Sequence, residues 1–118
     1  MKPLEGITVL EFSTMITASF AAMMMAEQGA RVIKVEPMNV GDPMRYIGAN
    51  KGGISSLFAN CNRGKQSIRV NLKEQAGQEL IRELVAGVDI FIHNFRPGVM
   101  DKLNLGSEVL RELNPPLI

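Results

Sequence analysis

The chain has 118 residues, 13 of them Lys or Arg and 12 Asp or Glu, and a net charge of +1. That length suits one domain with a core of its own, and so even a balance leaves neither a basic field for nucleic acid nor a single-sign tail. The few aromatic residues are scattered, which excludes a platform for stacking bases.

GITVLEF (6–12) is a short β-rich run. A helical stretch follows from about Ala18 to Gln28, closed by Gly29 as its C′ residue. ARVIKVEP (30–37) is a second, β-branched strand stopped by Pro37. Strand, helix and strand in close succession make a βαβ unit, which implies parallel strands and a right-handed crossover. Met38 to Lys65 reads as irregular, rich in Gly and Asn, with one short apolar segment, ISSLFA (54–59). A loop this long in a small domain is functional or wraps a neighbour. SIRVNL (67–72) is a third strand. Asn71, with Glu74 three residues on, is placed to cap the next helix, where Ala76, Leu80, Ile81, Leu84 and Val85 share a face. Gly87 ends that helix. VDIFI (88–92) is a continuous apolar strand of the kind covered on both faces of a parallel sheet. Ser107 caps a last short helix to Leu113, and Leu117-Ile118 starts another strand, so the chain is expected to stop in mid-fold. The fold class is α/β: a Rossmann-like open parallel sheet with flanking helices, incomplete.

Cys61 is the only cysteine and His93 the only histidine. No internal disulfide forms from one cysteine, a reducing cytoplasm is the simplest home, and no zinc cluster or other metal is expected. Glu5 and Glu11 interrupt any signal-peptide pattern. The longest apolar stretch, MITASFAAMMMA (15–26), is well short of the ~20 residues that span a bilayer. These features point to a cytoplasmic chain with no membrane partner.

In an open parallel sheet ligands bind beyond the carboxyl ends of the strands. Three loops leave such ends, at 13–18, 36–42 and 93–98, and they bring Thr14, Ile16, Asn94 and Arg96 to one crevice. The glycines of a dinucleotide fingerprint are missing after the first strand, and Gly64-Lys65 lacks the register of a P-loop. Arg63 and Lys65, in CNRGKQS (61–67), are either anion contacts or a solvated basic turn; spacing leaves both open, because the segment enters a strand and does not leave one. His93 is read as a loop hydrogen-bonding residue in preference to an acid or base. Glu11 is read as structural, satisfied by a nearby helix N-terminus. Met23 to Met25 are read as core filler, Cys61 as a small packing residue, and Asp42 with Arg45 as a pair that fixes its loop. Asn94 and Arg96 bind an anion or pin the Pro97-Gly98 turn.

The order VLEFS, GARVIKVEP, GDPMR, NRGKQSIRVNLK, DIFIHNFRPGVMDKLNLG and LNPPLI resembles class III (CaiB/BaiF-like) CoA-transferases, the group that includes formyl-CoA and carnitine CoA-transferases and acyl-CoA racemases. The resemblance runs from Leu4 to Ile118. It implies that residues 1–118 are a CoA-binding α/β domain, with coenzyme A or acyl-CoA as the ligand. Its contacts would be Met15 and Ile16 after the first strand, Asn62, Arg63, Gly64 and Lys65 in the NxxK turn, and Asn94, Phe95 and Arg96 in the NFRPG loop. The resemblance adds Lys102, at a further position that in the family often faces the phosphates. Such cations suit a polyanion, because Arg and Lys make charge-assisted bonds to phosphate. The chain departs from the pattern at Ala18-Ser19, where many members have Gly-Pro, at Pro37, where an Arg is frequent, and at Gly64, where Asn is common. The family's nucleophilic Asp matches none of Asp42, Asp89 and Asp101 and lies beyond the equivalent of Ile118. The chain alone is therefore expected to bind and not to transfer CoA. A homo-oligomer, as in the family's interlocked dimers, is expected. A stand-alone CoA or nucleotide binder and a self-associating structural remnant are the alternatives.

Overall fold

The computed structural model describes residues 1–118. Thr8–Phe12 (β1), Thr17–Glu27 (α1) and Arg31–Glu36 (β2) form the expected βαβ unit. The strands are parallel, with Leu10 opposite Ile33 and Glu11 opposite Lys34. Gly29, at φ 105°, ends α1, and a side chain there would also collide with Lys2. An excursion follows: a 3-10 turn at Pro43–Tyr46, a hairpin of Asn50–Lys51 (β3) and Ile54–Ser55 (β4), and Ser56–Asn62 (α2). Gln66–Arg69 (β5), Gln75–Val85 (α3), Ile90–His93 (β6), Val99–Lys102 (α4) and Ser107–Leu113 (α5) complete the chain.

The four-stranded sheet has the order β5-β2-β1-β6, all parallel. Strand order therefore reverses at β1, and the gap beyond the carboxyl ends of β1 and β6 is the topological switch point. Side chains alternate between the faces. Leu10, Phe12, Ile33 and Val35 join Ile81 and Val85 of α3 and Leu110 of α5 in the main core. Burying each such side chain contributes ~1.5–3 kcal/mol. On the other face Val9 and Val32 meet Ala22 of α1, and the same alternation carries Glu11, Lys34 and Glu36 to that side. All three charged residues are buried.

Several local expectations are corrected. The 38–65 stretch contains α2, whose N-cap Ser55 accepts the Phe58 N–H. Asn71 does not cap α3, because the helix begins at Gln75; its side chain accepts the Lys73 N–H in a local turn. Within α3, Ala76 and Leu80 are exposed and the packed side is Ile81, Leu84 and Val85. Gly77 sits flush against the Asn71 carbonyl, where any side chain would collide. Ser107 lies inside α5, with Gly106 as the N-cap. β6 is half-buried where full coverage was expected. Met24 points to solvent while Met23 is buried. Leu117-Ile118 forms no strand of the sheet, although Ile118 donates to the Asp89 carbonyl (3.1 Å) and accepts from the Phe91 N–H (2.8 Å) alongside β6.

Candidate functional site

The loops after β1, β2 and β6 meet at one end of the sheet. Asn94 bridges two of them: its Oδ1 accepts the Thr14 N–H (3.2 Å), and its Nδ2 donates to the Thr14 carbonyl (2.7 Å) and Thr17 Oγ1 (3.1 Å). It thus holds the β1–α1 loop rather than the Pro97-Gly98 turn. Beside it opens a crevice of about 450 Å³, lined among others by Phe12, Thr14, Val35, Leu72 and Phe95. Its lining is mostly apolar, and its polar residues are Ser13, Thr14, Glu36, Asn39, Asn71 and Lys73.

A buried charge network lies under the β1–α1 loop. Lys34 Nζ reaches Glu11 Oε1 and Asp42 Oδ2, both at 2.9 Å, and the Ser13 carbonyl at 3.2 Å. Lys65 Nζ reaches Glu11 Oε2 (2.7 Å), the Ser19 carbonyl (2.7 Å) and Asn62 Oδ1 (2.9 Å). Two ammonium groups thus face two carboxylates, so the network is neutral as a whole, the condition for tolerating buried charge. Glu11 is structural as expected, but lysines satisfy it and not a helix N-terminus. Burial is the largest influence on Lys65 and pulls its pKa below the usual lysine range; Glu11 opposes this and Lys34 adds to it.

Glu36 forms a second cluster at the crevice edge. It accepts from the Asp42 N–H (2.7 Å), from Arg45 Nε (2.8 Å) and Nη2 (2.6 Å), and from the Ser67 hydroxyl. Burial, the largest single influence, pushes its pKa up, yet the bonds from Arg45, Ser67 and Asp42 together with the Arg45 charge hold it at about 2. The pairing with Glu36 raises the Arg45 pKa in turn, and the guanidinium stacks 3.9 Å over the Phe58 ring. Asp42 and Arg45 do fix their loop. With its oxygens so engaged, Glu36 is no free base or nucleophile.

Apart from Asn94, which holds the β1–α1 loop, the nine other residues singled out above fall into three groups. Phe95 lines the crevice, and Met15 and Ile16 come directly after the lining residue Thr14 and are exposed. Arg96 and Lys102 are exposed, form no ion pair within the chain, and neighbour the crevice residues Phe95 and Leu103. Asn62 to Lys65 lie elsewhere. Asn62 donates to the Phe58 carbonyl (3.0 Å), Arg63 pairs with Glu27 (2.7 Å), Gly64 makes a turn at φ 74°, and Lys65 belongs to the buried network. The topological puzzle over this turn has a simple answer. β5 begins midway along β2, with Gln66 opposite Ile33, so Lys65 enters at mid-sheet height. His93 hydrogen-bonds its own loop, its Nδ1 accepting the Phe95 N–H (3.2 Å), and Cys61 is a buried free thiol.

Met38, Leu72 and Lys73 line the crevice and were not anticipated. Reading SIRVNL as strand through residue 72 hid the last two. The strand ends at Arg69, which turns the following residues into a fourth loop at the carboxyl end of the sheet. No three His, Cys, Asp or Glu side chains converge where they could hold a metal ion, and no helix is long and apolar enough to cross a membrane.

This open α/β sheet with a crevice at the carboxyl ends of its strands belongs to a known class. Residues 4–118 match the CoA-transferase family III model, and the chain is a member of that family. It is 39% identical over 116 residues to an acetyl-CoA:oxalate CoA-transferase of Acetobacter aceti, covering 98% of this chain and 30% of the relative. To the succinyl-CoA:glutarate CoA-transferase of Homo sapiens it is 39% identical over 119 residues, covering 100% of this chain and 27% of that one. A crystal structure of a CAIB/BAIF family protein from Brucella suis superposes with a TM-score of 0.91 at 38% identity, covering 99% of this chain and 32% of that one. The chain thus spans less than a third of the length of these relatives.

Proposed function

We propose that residues 1–118 form the CoA-binding portion of a class III CoA-transferase, taking coenzyme A or acyl-CoA at the carboxyl ends of β1, β2, β5 and β6. The observation that carries this reading is the largely apolar crevice, two of whose lining residues, Phe95 and Leu103, are next in sequence to exposed cations that form no ion pair in the chain, Arg96 and Lys102. An apolar cleft with a few placed charges is how a small polyanionic cofactor is held. Phe95 packs against the cofactor, Met15 and Ile16 contact it from the β1–α1 loop, and Arg96 and Lys102 meet phosphate. Asn62, Arg63, Gly64 and Lys65 serve the site by supporting α1 from behind, because Lys65 bonds to the Ser19 carbonyl within its first turn. Transfer through an aspartyl intermediate is the activity of the whole enzyme that this portion would serve. The oxygens of Glu36, the carboxylate on the crevice, are taken up by its Arg45 cluster.

A thermal-shift titration with CoA tests this. At about 100 times its dissociation constant a ligand adds ~2.7 kcal/mol, on the order of 10 °C for a domain this small. Arg96→Ala and Lys102→Ala are each expected to weaken CoA by about tenfold, the loss of one charge-assisted bond, with unliganded stability unchanged. No shift at millimolar CoA defeats the reading.

The chain is also proposed to self-associate, through an uncharged stripe on α1. Phe20 and Met24, one turn apart, are 47% and 46% exposed. Phe20→Glu is expected to convert a dimer to a monomer in light scattering; a wild-type chain already monomeric at high concentration rules the stripe out as an interface.

A further inference from the structure

The loop from Ser13 to Met15 is held at every residue by a side chain from another part of the sheet. Lys34 on β2 donates to the Ser13 carbonyl (3.2 Å). Asn94 after β6 takes both backbone groups of Thr14. Asp42, after β2, accepts the Met15 N–H on Oδ1 (3.3 Å) and the Met44 N–H on the same oxygen (2.9 Å), while its Oδ2 pairs with Lys34. Met15 needs this support. Its φ is 64°, in the left-handed region that a side-chain-bearing residue rarely enters unless its surroundings impose it. Asp42 and Lys34 are buried, at 0% and 1% exposure, so neither offers its charge to a ligand directly.

We propose that the buried Lys34–Asp42 pair is a positioning device. Lys34 orients the Asp42 carboxylate, Asp42 fixes Met15 in its left-handed conformation, and this turns Met15 and Ile16 outward at the start of α1. The pair therefore sets the rim of the crevice from beneath, without touching what binds there. Only the effect on CoA rests on the reading above; the hold on Met15 does not.

Amide hydrogen exchange and the HN–Hα coupling of Met15, measured by NMR on the isotope-labelled chain, test the device without ligand. The Met15 amide is expected to be protected in the wild-type chain. In Lys34→Met/Asp42→Ala, which removes one buried charge of each sign, it should exchange about tenfold faster or more, the factor for losing a charge-assisted hydrogen bond, while Ile81 in α3 is unaffected. Lys34→Met/Asp42→Asn keeps an acceptor and should fall between. An unprotected Met15 amide in the wild-type chain overturns the proposal without any variant, and so does unchanged Met15 exchange in either folded variant. Parallel CoA titrations should show affinity falling in the same order. If the wild-type chain ignores CoA while Met15 behaves as expected, the cofactor reading fails and the positioning device stands.

Discussion

Lys65→Ala is expected to cost the fold about 3 kcal/mol or more before any ligand is involved, because breaking a buried ion pair costs ~3–5 kcal/mol. The Lys65 side chain is 2% exposed, and its ammonium is spent on Glu11, Ser19 and Asn62. Truncation leaves Glu11 Oε2, itself fully buried, facing a cavity. Lys34 still holds the other oxygen at 2.9 Å, which keeps the loss near the lower end of that range. The penalty is a large part of the ~5–15 kcal/mol that holds a typical domain together. Urea unfolding of the wild type, Lys65→Ala and Lys65→Met/Glu11→Gln separates the causes. The double variant removes both charges at once and should recover most of the loss, since the penalty comes from an orphaned carboxylate. If Lys65→Ala keeps wild-type stability and loses only CoA affinity, Lys65 is a ligand cation and its place in the buried network is secondary.

That reassignment shows where sequence reasoning reached its limit. The βαβ unit, the parallel sheet and the meeting of three loops at one end were legible, because β-branched runs, a helix-closing glycine and crossover handedness are local signals. The contacts of Asn94 with Thr14 and of Asp42 with Met15 confirm the meeting. The charge network was not legible. Lys34 and Glu36 alternate with Ile33 and Val35 in β2 as in a half-solvated strand, and only the register that sets Glu11 opposite Lys34 reveals a buried pair. Lys65 arrives from a turn remote in sequence, so no spacing rule joins it to Glu11. α2 escaped for a different reason. Cys61 is its one buried residue, which leaves no helical stripe of apolar residues to detect, and tertiary contacts such as the Arg45–Phe58 stack hold it. The crevice was found from topology and the NFRPG loop, but its fourth wall depended on where β5 ends, the least secure feature of any strand read from sequence.

Acid is expected to remove about 3 kcal/mol of stability through Glu36 alone, from its pKa of about 2 against an ordinary 4.5 at 1.36 kcal/mol per unit. A carboxylate whose pKa is depressed by folding stabilises fully above its unfolded value and stops doing so as pH falls through the folded one. The loss therefore begins near 4.5 and is nearly complete around pH 2. Glu36→Gln should be less stable than the wild type at neutral pH, and the gap should close progressively below the ordinary carboxylate range. A gap that stays constant with pH would mean that Gln disturbs packing and that the charge of Glu36 contributes little. Arg45→Lys sharpens the test. Two guanidinium nitrogens meet the two Glu36 oxygens and the plane lies on Phe58, an arrangement that a lysine ammonium cannot reproduce. That variant should shift the acid transition upward at nearly unchanged size of side chain. Because Glu36 also accepts the Asp42 N–H, its protonation loosens the same loop whose aspartate holds Met15, so the rim of the crevice should become mobile before the apolar core beneath the sheet gives way.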